Sequence, residues 1–211
     1  MDDSLRLGAR AARAEVVSGA LRGAALLDRL GAVPVRDRDA WVDELLGIEP
    51  PPPDVPDLPR GAVPYLPCGV DEIVAMVREV PLGPDDELVD IGAGLGRVVM
   101  LAHLLSGARA RGVEIQAPLV DRARRCGAEL AIAAVSFVHA DAADCELDGS
   151  VFFLYAPCNG ALLARVIRRL EDAAQRRPIV IAAVGFELPD APWLAARPTS
   201  HPALTLYDAR R

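Results

Sequence analysis

Lysine is absent from this 211-residue chain: arginine supplies all 23 basic residues, against 30 acidic ones, for a formal net charge of −7. A nucleic-acid binder usually carries a basic stripe, and this balance argues against one. The skew to arginine points to a GC-rich genome rather than to a function, and local groups such as Arg122, Arg124 and Arg125 read as solvated helix faces. No apolar run reaches the ~18 residues of a membrane span. The opening "MDDSLRLGARAARAEVV" has no basic stretch followed by an apolar one, so no secretion signal is expected and the expected location is cytoplasmic. Cysteine is scarce, and Cys68, Cys126, Cys145 and Cys158 form no C-x-x-C pair. Reduced, packed thiols are expected rather than a disulfide or a metal site. His103, His139 and His201 share no ligand spacing, so no metal is expected.

What is present is globular: 52% of residues are hydrophobic and 25% charged. Val16, Val17, Ala20, Leu21, Ala24, Leu27 and Leu30 recur at helical spacing opposite Arg10, Arg13, Arg22 and Arg29, predicting one helix over 4–30. A short helix follows at 37–47, with Trp41, Leu45 and Leu46 on one face and Gly47 as its stop. The segment "IEPPPPDVPDLPRGAVPYLP", 48–67, is too rich in proline for helix or central strand and reads as a stiff connector. The expected organisation is an N-terminal helical cap over 1–47, the connector over 48–67, and a main domain over 68–211.

Beyond the connector, helical and strand patterns alternate. "VDEIVAMVREV", 95–106, 117–130 and 159–175 read as helices; "ELVDI", "ARGVEI", "VSFVHA", "SVFFLYA" and "PIVIAAVGF" read as strands. "ALTLYDA" is a further strand, with a short one near Trp193. Strands alternating with helices predict an α/β fold with a doubly wound, mostly parallel sheet.

In such a sheet, ligands bind beyond the carboxyl ends of the strands at the switch point. The first strand-to-helix turn is "VDIGAGLGRVV", 89–99. Dinucleotides ask for G-x-G-x-x-G there; Gly92, Gly94 and Gly96 are spaced one residue short. Charge separates the ligands further. Asp90 stands two residues before Gly92, and two like charges 4 Å apart repel by roughly 4 kcal/mol at an effective dielectric of ~20. A diphosphate is disfavoured, whereas S-adenosylmethionine, with an ammonium, a sulfonium and no phosphate, reverses the sign. Glu114 ends the second strand, where a carboxylate can accept both ribose hydroxyls, with Ile115 beside it. Asp141 follows the third strand, placed to accept the adenine amine while the backbone of Ala142 faces a ring nitrogen.

With these motifs ("VDIGAGLG", "GVEI" and "HADA") the sequence resembles the class I S-adenosylmethionine-dependent methyltransferases over about 62–187. Motif order and spacing from "YLPCGVDEIVAMV" onward look like the Dot-type (non-SET) lysine methyltransferases and their small bacterial relatives. In that group a loop before the first helix lies over the cofactor, which nominates Tyr65 and the stretch to Cys68 as a lid. The resemblance implies a methyl transfer by in-line displacement to a small molecule or a protein side chain. It departs after the fourth strand: where the group carries a paired asparagine and an aromatic, this chain reads "FLYAPCNG", with Ala156 in place of a strand-end amide or acid. Tyr155 and Asn159 flank the expected methyl position and are the candidates for acting on the acceptor. Tyr155 has the alternative of a strand-end aromatic in water, and Asn159 that of a helix N-cap. Cys158 reads as a packed cysteine. The N-terminal helices either fold over the cofactor mouth, or pack on the sheet, or form a homodimer contact. Two other functions stay open: an NAD-type oxidoreductase, which shares the fold and Glu114, and a non-catalytic protein that keeps the cofactor pocket.

Overall fold

A strand buried on both faces has no polar alternation, and "VFFLY" is such a run: its first four residues are buried and it forms the middle of the sheet. The computed structural model describes residues 1–210; Arg211, the last residue of the expected main domain, lies outside the described residues. Seven strands, β1 (Glu87–Ile91), β2 (Arg109–Glu114), β3 (Val135–His139), β4 (Val151–Tyr155), β5 (Ile179–Val184), β6 (Leu194–Pro198) and β7 (Leu204–Ala209), form one sheet of order β3-β2-β1-β4-β5-β7-β6. The first five pair in parallel, and β7 runs antiparallel to both β5 and β6. Chain order reverses between β1 and β4, so the switch point lies beyond Ile91 and Tyr155.

Among the described residues, seven α-helices and a short 3-10 helix (Val35–Asp37) accompany the sheet: α1 (Asp3–Val17), α2 (Gly23–Gly31), α3 (Arg38–Leu46), α4 (Val70–Glu79), α5 (Arg97–Ser106), α6 (Ala117–Glu129) and α7 (Gly160–Arg176). Period-2 alternation divides the core. Leu88 and Phe153 point to one face, where Met76, Met100 and the N-terminal helices gather. Val89 and Phe152 point to the other, against Leu162, Val166 and Leu170 of α7.

The expected helix over 4–30 is corrected to two. Gly19 takes φ +80°, the Gly19 N–H donates to Val16 O and the Ala20 N–H to Glu15 O, a Schellman end that stops α1. Apolar spacing continues across the break because both pieces bury the same face: Ala12, Val16, Leu26 and Leu30 are all buried. The helix expected at 37–47 forms as α3 and ends at Gly47, φ +73°. Its Trp41, Val42, Leu45 and Leu46 are buried; α1 packs on α3, and α2 and α3 pack on α5. The N-terminal helices therefore lie against the helix that follows the glycine turn.

Candidate cofactor site

The turn after β1 is sewn to β2: the N–H groups of Gly92 and Ala93 both donate to Val113 O, at 2.9 and 3.1 Å. Gly92 and Gly94 hold φ of +83° and +52°, a region that L side chains avoid. Space requires them as well. A Cβ on Gly92 would meet Pro157 Cβ at 2.7 Å, and one on Gly94 would collide with the Tyr65 ring. Gly96 is tucked against the ring of Phe137.

Three carboxyls converge on this end of the sheet, and each is held differently. Glu114 is 6% exposed. Its Oε2 accepts from the Gly94 N–H and its Oε1 from the Gln116 N–H, both at 2.8 Å. Burial raises its pKa and these backbone donors oppose the rise. Glu114 also lines the cleft, and an ionised carboxylate offers about four acceptor sites. Asp141 is half-buried and lines the cleft; its Oδ1 accepts from the Ala143 N–H at 2.8 Å, which fixes the turn after β3. Asp90 is 2% exposed, and its carboxyl has no hydrogen-bond partner among the described residues. Burial, with Glu114 as a neighbouring like charge, pushes its pKa up to about 8.

This corrects the expectation of an ionised carboxylate on the rim. Asp90 is not among the residues that line the cleft, and burial, with no cation there to stabilise the charge, favours its protonated form at neutral pH. Gly94 and Gly96 are likewise not among the residues that line the open cleft, whereas Gly92, Glu114, Ile115, Asp141 and Ala142 are.

The roof of the cleft comes from the proline-rich connector. At one end, Gln116 is 3% exposed; its Oε1 accepts from the Val55 N–H at 2.9 Å and its Nε2 donates to Asp54 Oδ1 at 2.7 Å. The same Asp54 oxygen accepts from the Tyr65 N–H at 3.0 Å. Further along, Ala62 makes an antiparallel bridge with Cys158; the Val63 N–H donates to Pro157 O and the Asn159 N–H to Gly61 O. Residues 54–66 thus cross from the end of β2 to the loop after β4. Tyr65 lies on Gly94, and burial pushes its phenol up to about 12. The sequence predicts a connector ending in a lid; its anchoring by Asp54 and Gln116 has no local signal, since the two residues lie 62 positions apart.

The cleft beneath has a cavity volume of about 150 Å³ and opens to solvent at its mouth. Leu162 and Val166 of α7 line it, as does Tyr155, half-buried at the end of β4. Burial raises the Tyr155 pKa, with Cys68 and Glu72 as lesser contributors, and its hydroxyl has no hydrogen-bond partner among the described residues. Ala156 also lines the cleft and holds φ +40°, uncommon for a residue with a Cβ. Cys158 is buried, and burial pushes its thiol up to about 11, so it is protonated at neutral pH. Asn159 is exposed and outside the cleft; it occupies the N-cap of α7 without a side-chain capping bond. The lining of the cleft begins at Ala62, so no residue of the N-terminal helices reaches it. The described residues contain no cluster of three or more His, Cys, Asp or Glu able to hold a metal ion.

No family model matches the chain, and no curated protein matches it significantly. Solved structures do. An RNA methyltransferase from Salinibacter ruber, in complex with S-adenosyl-L-homocysteine, is 23% identical with a TM-score of 0.56, covering 69% of this chain and 95% of its own. The putative methyltransferase yhhF from Escherichia coli is 18% identical with a TM-score of 0.55, covering 72% and 90%. The fold is that of a class I S-adenosylmethionine-dependent methyltransferase. A MtNAS variant in complex with S-adenosylmethionine is 15% identical with a TM-score of 0.52, covering 67% and 62%. Some matched chains are longer, and this one spans 44% of one of them. The similarity extends across the class I fold and gives no support to the Dot-type group in particular. No helix among the described residues is long and apolar enough to cross a membrane.

Proposed function

We propose that this chain binds S-adenosylmethionine and transfers its methyl group to a small molecule or a protein side chain. The observation that carries this reading is Glu114: a buried carboxylate that lines the cleft at the end of β2 and is oriented by the Gly94 and Gln116 N–H groups, 2.8 Å from each. A vicinal diol is the partner that geometry suits. Asp141 and the Ala142 backbone, at the next strand end, take the exocyclic amine and a ring nitrogen of adenine, with Ile115 against its face. Asp90 and the turn around Gly92 receive the amino-acid end. A cation arriving there supplies the charge that Asp90 lacks a partner for, and the carboxyl ionises on binding.

The displacement itself asks mainly for alignment and exclusion of water, and well-oriented reactants supply roughly 7–11 kcal/mol of the barrier. Residues 62–66 of the roof exclude water here. Tyr65 over Gly94 also supports the finer, Dot-type reading of the segment before α4. With Ala156 at the end of β4 and Asn159 outside the cleft, Tyr155 offers a hydroxyl and Cys158 a protonated thiol on that wall among the described residues. The acceptor is therefore a group already nucleophilic without amide orientation, such as a thiol, a carboxylate or a neutral amine. An NAD-type dehydrogenase is disfavoured because the Tyr65 ring occupies the space over Gly94 that a diphosphate would need. The bare wall at Ala156 favours one second reading, a protein that keeps the cofactor without catalysis.

Calorimetric titration with S-adenosylhomocysteine tests the binding half. Saturable binding with a raised melting temperature is expected, and no binding at millimolar ligand overturns it. Tritiated methyl transfer into a lysate, with and without Glu114→Ala, separates the enzyme from the non-catalytic reading.

A further inference from the structure

Arg97 is the first residue of α5, directly after the glycine turn, yet its side chain points away from the cleft and is 7% exposed. All three of its guanidinium nitrogens are engaged. Nε and Nη2 donate to the two carboxylate oxygens of Asp43 on α3, at 2.9 and 2.6 Å, a fork-to-fork pair. Nη1 donates to the carbonyl of Cys68 at 2.6 Å. The neighbouring Asp39, also on α3, accepts from the Val70 N–H at 2.8 Å. Both ends of the short link from roof to α4 are thus tied to α3, one of them through Arg97.

From this geometry we propose that Arg97 and Asp43 are positioning residues for the cofactor roof, so that the N-terminal helices govern cofactor affinity without touching the cleft. The inference rests on the reading of the cleft as a cofactor site. Between the backbone bond from Val63 to Pro157 and the Cys68 carbonyl, residues 64–67 have one hydrogen bond, from the Tyr65 N–H to Asp54. Pro64, Leu66 and Pro67 are exposed. Packing alone therefore does not hold this stretch, and the anchor at Cys68 decides whether Tyr65 stays on Gly94. Burying an ion pair seldom adds stability over an apolar pair of similar volume, and α3 is already seated by Trp41, Val42, Leu45 and Leu46. The charge pair finds its use in aiming one donor at Cys68.

The test uses a variant that removes the donor but keeps the packing, Arg97→Met with Asp43→Leu. Hydrogen exchange is read first without ligand. The Tyr65 amide, whose acceptor is Asp54, is expected to exchange about tenfold faster while the amides of β1 and β4 keep their protection, as local opening separates from global unfolding. The S-adenosylhomocysteine dissociation constant is expected to rise by the factor by which the closed fraction of the roof falls, up to about tenfold, since binding must then close the roof. Arg97→Lys, which keeps the charge but not the fork, gives the same pattern at smaller size and serves as the test should the double variant not fold. Unchanged protection at Tyr65, protection lost equally throughout the sheet, or a loosened roof with unaltered affinity each overturn the proposal. Failure of the parent protein to bind S-adenosylhomocysteine overturns the cofactor reading instead, and leaves the ligand-free exchange result standing.

Discussion

The two walls of the cleft are built on different principles. On the side of β1, β2 and β3, every polar side chain that faces the cleft is held by backbone N–H groups or by a side chain itself held: Glu114 by Gly94 and Gln116, Asp141 by Ala143, Gln116 by Val55 and Asp54. On the side of β4 the wall is Ala156, Pro157, Cys158 and the free hydroxyl of Tyr155. A wall whose groups are oriented in advance recognises one ligand with little ordering cost. A wall without such groups selects by shape. On the reading proposed above, cofactor recognition falls to the first wall and acceptor choice to the second, where Ala156 stands in place of a strand-end amide or acid.

Breaking the first wall carries the largest expected effect. Glu114→Ala leaves two buried N–H groups without an acceptor, at about 1–3 kcal/mol each, and removes the diol grip. Calorimetry is expected to show S-adenosylhomocysteine affinity falling by about a hundredfold or more, with a destabilisation of about 2 kcal/mol in urea melts.

Next comes the titration of Asp90. Its ordinary value is 3.8 and its folded value about 8, so between these the folded chain holds a proton that the unfolded chain lacks. Its contribution to stability is complete below pH 4, is lost as pH rises toward 8, and is flat above. Cofactor affinity runs the other way. A cationic ligand needs the ionised form, so affinity for S-adenosylmethionine climbs up to about tenfold per pH unit toward pH 8 and then levels. Asp90→Asn is expected to flatten that profile; an unchanged slope would place the titrating group elsewhere.

The second wall is expected to respond more weakly, and in stability rather than binding. Ala156→Gly relieves a side chain held at φ +40°, so a stabilisation of about 0.5–1 kcal/mol is expected with cofactor affinity unchanged. Smallest is Tyr155→Phe. Stability within about 0.5 kcal/mol and S-adenosylhomocysteine affinity within about twofold of the parent are expected. Methyl transfer slowed at unchanged affinity would then assign the hydroxyl to the acceptor.

How much of this was legible in the sequence follows from the range of each interaction. The strands from "ELVDI" to "PIVIAAVGF" announced themselves through burial patterns within five or six residues, and the switch-point turn through its glycines. Gly19 was harder to read: the helical apolar spacing runs on past it, and only the left-handed backbone there ends α1. The charge of Asp90 was misread because a letter in a sequence carries its solution pKa, while burial and the absence of a partner set the value in the fold. The anchors of the roof, Asp54 to Gln116 and Asp43 through Arg97 to Cys68, join residues that no periodicity links.

By itself, then, the order of apolar runs and glycines determined the α/β sheet, its switch point and the strand ends where acids would gather, because period 2, period 3.6 and turn chemistry are local. Tertiary structure decided how the proline-rich segment is anchored across the cleft, that α3 reaches the Cys68 carbonyl through Arg97, and that burial raises the Asp90 pKa. Those outcomes depend on which distant groups meet and on how much water is left between them.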